Sequence, residues 1–394
     1  MQLKVKQTID LYLGGFLLLI LRPLVFLVGK VMRRDHQLSP KGEVCFLKML
    51  GGGSLVIAAP SLIALRKARP DLCLSLVTTK ALVPFAQSLH VFDKLYIIDE
   101  SSLFRLCTSS MAALLLLFRV DTFVDLEIHS RLSTVFSVFT CARNRIGFYL
   151  ASAYFRRYLH SHLLFANVFN GSYFLYEKVL GLFNVEPCPF HEVRDHLLQS
   201  IPQAAMTKEP THKTIVIGHA CSEFGKERQL SPPQWQKVFQ EHILDTPTTI
   251  IFLGSRDDMP LAQEIIDHSR NNFPNSEWQN LCGTKTLEES LSILAAADEF
   301  WGIDSALLHY GRILVPKCVS FWGPTRPKSR LKPNPDLQEE IHYAKVQCSP
   351  CIHVAEEPPC QGNNICMTNI FSDQKTSLAQ HPGIILLPNQ KAEK

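Results

Sequence analysis

The chain has 394 residues, 46% of them apolar, enough for two domains that each bury a sizeable core. A net charge of +4 is too small to make nucleic acid the main partner. Most of the twelve cysteines, such as Cys45, Cys73, Cys107 and Cys141, read as core residues, and a cytosolic chain keeps these reduced.

The first element is a strongly apolar stretch over 11–31, long enough to cross a bilayer. Arg22-Pro23 falls in its middle, however. A central Arg costs roughly 2.5–3.5 kcal/mol on insertion scales, and Pro breaks or kinks a helix. No small-residue cleavage site follows, which argues against a secretory signal. Basic residues cluster near it: Lys4, Lys6, Arg22, Lys30, Arg33 and Arg34. The expectation is a helix or broken helix pair lying on the cytoplasmic membrane surface, its basic flanks on anionic lipid. The other reading is an arm packed on the protein's own surface.

Beyond it, apolar runs alternate with amphipathic ones. Strands are predicted over 44–50, 72–78, 94–98 and 122–128, and helices over 54–68, 81–89, 103–118 and 130–140. Residues 199–213, with Pro202 and Pro210, read as linker. Alternation restarts with strands over 214–217, 248–253, 299–303 and 317–322, and helices over 232–243, 259–273, 287–297 and 306–314. This is the pattern of an α/β protein with parallel sheets and helices on both faces.

Several strand-to-helix turns carry candidate chemistry. The first is Lys48-Met49-Leu50-Gly51-Gly52-Gly53-Ser54, where glycine lets the backbone come close to a ligand. Asp125, Glu127 and His129 lie at the end of a later strand, and Asp99 and Glu100 end a neighbouring one. Each is a candidate general base or a solvated strand end. Arg131 and Arg145 offer guanidinium groups that grip carboxylates and phosphates. In the second half, Lys226 and Arg228 precede a helix, and Gly254-Ser255 and Gly283 occupy further turns. The most informative turn is Asp304-Ser305, two N-cap residues before an apolar helix, with His309 one turn on and Gly323-Pro324-Thr325 closing the segment. A helix N-terminus at such a turn presents free N–H groups to an anion.

Together these turns resemble glycosyltransferase family nine, the heptosyltransferase family. Asp304, Ser305, His309 and Gly323-Pro324-Thr325 match its donor-side signature, with Ala306 where the family usually has Gly. The resemblance covers most of residues 42–370 and implies a GT-B architecture, two Rossmann-like domains facing across a cleft. It divides the chain into an arm (1–41), an acceptor domain (42–200), a linker (201–213) and a nucleotide-sugar domain (214–385). It implies metal-independent, inverting transfer from ADP-heptose to a lipid-linked saccharide of lipopolysaccharide-core type. The donor would be held by Lys226 or Arg228 with Gly254, Ser255, Asp304, Ser305, His309 and Thr325. The acceptor would lie against Gly52, Gly53, Arg131 and Arg145. The family's base position holds Asp in many members; here it is Ser54, which leaves Glu127 or Asp125 as replacements. Ser54 and Ala306 would also suit a non-catalytic, membrane-associated binding protein, and the architecture is shared with sugar-nucleotide epimerases.

Four late cysteines, Cys348 and Cys351, then Cys360 and Cys366, open as a Cys-x2-Cys pair that could hold a structural zinc; the wider second spacing leaves free thiols or disulfides as alternatives.

Overall fold

Short apolar runs covered by helices on both faces make β1 (Glu43–Leu47), β2 (Cys73–Thr79), β3 (Lys94–Ile98), β4 (Thr122–Asp125), β5 (Asn144–Tyr149) and β6 (His162–Phe165). They pair in the order β3-β2-β1-β4-β5-β6, all parallel. From Val44 to Leu47 every residue of β1 is buried, as a strand with helices on both faces must be. A second parallel sheet holds β7 (Lys213–Gly218), β8 (Thr248–Phe252), β9 (Ser276–Asn280), β10 (Glu299–Ile303), β11 (Lys317–Trp322) and β12 (Gln338–Tyr343), in the order β12-β11-β10-β7-β8-β9.

This computed structural model describes residues 3–371 apart from 33, 168, 202–211, 222–224, 244–246, 345, 353–359 and 361–362. Its contacts divide the chain into Met1–Cys188 and Pro189–Lys394. The helix Phe190–Ser200 therefore groups with the second sheet. Most of the expected linker, 202–211, and the end of the expected second domain, 372–385, lie outside the described residues.

Two expected strands end early, and this matters for the site. The run at 44–50 leaves the sheet after Leu47, and that at 122–128 after Asp125, so Lys48 and Glu127 stand in loops beyond the strand ends. The helix expected from 54 begins at Gly52, directly on the glycine turn. A side chain at Gly52 would meet the Phe85 ring at 2.7 Å, and Gly51 has φ +82, so both need glycine. The strands β5, β6, β9 and β12 and the helix Ser172–Gly181 are further elements beyond those expected.

The N-terminal arm is helical over Leu3–Ile9 and Gly15–Met32, joined by a π-turn at Asp10–Gly14, and it runs through Pro23 without a break. The irregularity sits more than two turns earlier, at Asp10–Gly14, for a visible reason. The Asp10 carboxylate caps the helix Arg131–Phe139, accepting from Ser130 Oγ at 2.7 Å and from the N–H groups of Arg131 and Leu132 at 2.9 Å. Gly14 lets the two backbones close up, since a Cβ there would lie 2.7 Å from Arg131 Cβ. One stripe of the arm, Leu18 and Leu21, is buried against Val135, Val138, Ala153, Phe155 and Leu159. Arg22, awkward in a lipid-spanning helix, donates to the Phe155 carbonyl at 3.1 Å. The arm thus packs on its own unit, while Tyr12, Phe16, Leu19, Leu27 and Val31 stay exposed.

Candidate functional site

Each sheet reverses its winding direction at one place, β1/β4 in the first and β7/β10 in the second. In open α/β sheets such switch points are where loops leaving adjacent strands part and leave room for a ligand. Some of the residues singled out above collect at each, and others do not.

At the first switch point Leu47 pairs with Asp125, so the loops after β1 and β4 meet. Glu127 joins them. Its Oε1 accepts from Lys48 Nζ at 3.0 Å and from the N–H groups of Met49 and Leu50 at 2.8 and 3.0 Å, fixing the start of the glycine turn that carries Ser54. Burial by itself would raise the Glu127 pKa; Lys48 and the two N–H groups outweigh it and hold the carboxylate below its usual value. Lys48 likewise stands above the usual lysine value: burial would depress it, and Glu127 overrides that. The second oxygen of Glu127 accepts nothing among the described residues, and the side chain is 13% exposed. Glu127 therefore stays a charged carboxylate with one oxygen free beside the glycine turn.

Asp125 is placed differently. It is fully buried, ion-paired to the equally buried Arg156 at 3.0 Å, and accepts from Ser133 Oγ at 2.8 Å and the Glu127 N–H at 3.0 Å. Burial pushes its pKa up to about 6 against the opposing pull of Arg156. Its oxygens are spent on the frame beneath Glu127, which makes it a support for the turn. Arg156 also donates to the Glu127 carbonyl. No motif pointed to Arg156, but Gly147 was a signal. That glycine lies inside β5, and a Cβ on it would sit 2.8 Å from the Arg156 guanidinium.

The remaining first-unit candidates divide. Arg131 stands at the helix start that Asp10 caps, with its guanidinium 5.1 Å from the Phe155 ring. Arg145 lies at the opposite, amino end of β5, its guanidinium donating to the Leu159 and Ala142 carbonyls, both at 2.9 Å. The fold does not bring Arg145 to the switch point. His129 is exposed. Asp99 and Glu100 are tied into surface ion pairs with Lys80, Arg105 and Lys6.

At the second switch point Gly218 of β7 pairs with Gly302 of β10, and Asp304 follows directly. Arg228 reaches it, donating to the Asp304 carbonyl at 2.6 Å and pairing with Oδ2 at 3.3 Å. This separates two residues that sequence left equivalent: Arg228 engages the Asp304 turn, and Lys226 is exposed two residues before it. Burial would raise the Asp304 pKa, but Arg228, Arg330 and His309 keep it below the usual carboxylate range. Arg330, at the end of the short helix Pro327–Arg330, is a basic neighbour the sequence reading passed over. His309 is 3% exposed, with Nε2 3.8 Å from Asp304 Oδ1. Burial drives its pKa down to about 3 despite Asp304, so the ring is neutral at pH 7. Ser305 Oγ and His309 Nδ1 are buried without a hydrogen-bond partner among the described residues. The helix Ala306–Leu314 starts at Ser305 and presents its first N–H groups here. Thr325 is buried beyond β11, and its Oγ1 likewise has no hydrogen-bond partner among the described residues.

The neighbouring turns lock to one another. Ser255 donates through N–H and Oγ to Asp258, both at 2.7 Å, and the Gly283 N–H donates to the Gly254 carbonyl at 3.0 Å. Gly283, at φ +68, brings its Cα against the Arg256 backbone, where a Cβ would stand 2.5 Å away.

The sequence model of glycosyltransferase family 9 (heptosyltransferase) matches residues 126–360, more than half of the chain. The chain belongs to glycosyltransferase family 9. Its two sheets and their order are the GT-B fold, and its activity class is glycosyl transfer. A family 9 glycosyltransferase from Veillonella parvula is similar in structure, with 15% identity, a TM-score of 0.59, and 77% of this chain and 86% of that one covered. So is Escherichia coli ADP-heptose LPS heptosyltransferase II, at 13% identity, a TM-score of 0.57, and coverage of 83% and 98%. Escherichia coli heptosyltransferase WaaC, solved with ADP, gives 13% identity, a TM-score of 0.59, and coverage of 76% and 93%. No curated protein sequence matches the chain. The family 9 match includes Glu127, Arg228, Asp304 and His309 but begins after the glycine turn and Ser54.

The late cysteines are free thiols, Cys351 and Cys366 buried, Cys360 half-buried and Cys348 exposed. Among the described residues no three of them bring their sulfurs within 4.8 Å of one another.

Proposed function

We propose that this family 9 enzyme transfers heptose from ADP-heptose to a lipid-linked saccharide, with inversion and without a metal. The observation that carries the reading is the Arg228–Asp304 pair at the β7/β10 switch point, set against the start of the helix Ala306–Leu314. Arg228, Arg330 and the exposed Lys226 supply positive charge, and the helix start supplies N–H groups, where the departing diphosphate needs both. Neutral His309 and the hydroxyls of Ser305 and Thr325 act as hydrogen-bonding groups. Gly254 and Ser255 line the adjoining turn.

At the β1/β4 switch point the acceptor saccharide lies against Gly52 and Gly53, with Arg131 for its anionic groups. Glu127 takes the proton of the attacking hydroxyl on its free oxygen. The new C–O bond forms at the anomeric carbon as the bond to the diphosphate oxygen breaks. Glu127 thus fills the role that Ser54, a neutral hydroxyl, is unable to fill. We place the enzyme on the cytoplasmic face of the membrane, held by the exposed apolar side of the arm.

The test is ADP release from ADP-heptose with a heptose-deficient lipopolysaccharide acceptor. Acceptor-dependent release is expected, with kcat about 100-fold lower or less in Glu127→Gln at unchanged ADP affinity. Wild-type kcat in that variant would remove Glu127 as base. ADP-heptose binding with no release would assign the chain a binding role.

A further inference from the structure

The edge strand β12 brings together a group that the transfer chemistry does not use. Glu340 and His342, two residues apart, share one face of β12, and His242 is the last residue of the helix Pro232–His242 packed over the sheet. One ligand atom from each of the three lies within 4.8 Å of the other two. His242 Nε2, Glu340 Oε1 and His342 Nε2 are all buried, and none has a hydrogen-bond partner among the described residues. His342 Nε2 comes to 2.8 Å from Glu340 Oε1 without the alignment of a hydrogen bond.

Three buried ligand atoms converge here, His242 Nε2 with no partner among the described residues and the other two joined only by an unaligned Glu340–His342 ion pair, an arrangement that is costly unless something further joins them. We propose that His242, Glu340 and His342 bind a divalent transition metal, with zinc the best match, in a structural site that pins β12 to the helix Pro232–His242. Two imidazoles and a carboxylate are a zinc donor set, and ligand atoms about 2.1 Å from a tetrahedral ion stand roughly 3.4 Å apart. The surroundings suit it. The His342 ring stacks on Phe321 at 4.9 Å, and Trp301 lies 5.4 Å from His242, so both rings are oriented by packing. Glu241, Lys317 and Glu299 are further charged groups facing the cluster.

The test uses the full chain, stripped with a chelator and titrated with Zn2+ by calorimetry and with Co2+ by absorption. One equivalent is expected to bind, with a Co2+ ligand-field band and no thiolate-to-metal band. Affinity should fall about 100-fold in Glu340→Gln and in His242→Asn, and stay unchanged in Cys348→Ser/Cys351→Ser. Glu340→Gln keeps the side-chain volume, and circular dichroism reports whether each variant is folded. Absence of binding up to about millimolar metal, equal binding in the Glu340 and His242 variants, or loss in the cysteine variant would each overturn the site.

Discussion

His309 shows how burial sets the chemistry of a single residue. Near pH 7 its ring carries no charge, so the positive charge at the Asp304 turn comes from arginines. The same fact makes stability depend on pH. The folded ring titrates at about 3 and an unfolded histidine at about 6.5, so between those values the unfolded chain binds a proton that the native one does not. Stability contributed by neutral His309 is therefore complete above pH 6.5 and is lost as pH falls, by about 2–3 kcal/mol at pH 4.5. Urea midpoints at pH 7 and 4.5 should show this loss in the wild type and a loss smaller by about that amount in His309→Gln, with His242 still contributing to both. An identical loss in the two proteins would contradict it. Asp304, Ser305 and His309 were legible in the sequence because all three belong to one turn and the helix it caps. Arg228, Arg330 and Arg156 were ambiguous or unseen, because what they touch lies 76 residues away for Arg228 and Asp304, and 31 for Arg156 and Asp125.

At the scale of elements, the strands that escaped the sequence reading have a physical reason. β9 and β12 are edge strands, where one side is solvated and the composition turns polar, as in Ser276–Asn280 and Gln338–Tyr343; β6 is an edge strand of only four residues, too short to show a pattern. β5 is interior, but it opens with Asn-Arg and spends a position on Gly147 to admit Arg156. The arm was legible as an apolar helix; its docking was not, because Asp10 and Gly14 act through contacts with a helix over a hundred residues on. The arm has two faces, and they make separable predictions. Leu21 is buried and Leu19 and Leu27 are exposed. Leu21→Ala is expected to destabilise the first unit by about 2–3 kcal/mol in urea unfolding. Leu19→Ser with Leu27→Ser should leave that stability unchanged and reduce co-sedimentation with anionic vesicles several-fold. Full vesicle binding in the double variant would show that the exposed face is not the membrane contact.

Across the whole molecule, one topological rule organises the chemistry. Both sheets switch direction once, and each switch point carries a loop pair in which an acidic and a basic side chain lock together: Lys48 with Glu127, and Arg228 with Asp304. The first pair fixes a glycine turn and leaves a carboxylate oxygen free; the second fixes a helix start beside positive charge. The βα alternation made this architecture readable from the sequence, and the ends of the strands, which decide where the side chains meet, came only from the structure. The central claim is that the donor diphosphate sits at the β7/β10 switch point. Its most direct test is calorimetric titration of ADP and ADP-heptose into the wild type, Asp304→Ala and Arg228→Ala. Micromolar binding in the wild type that weakens at least about tenfold, or roughly 1.4 kcal/mol, in both variants is the predicted result. Equal affinity in all three proteins, or no binding of either ligand to the wild type, would contradict it.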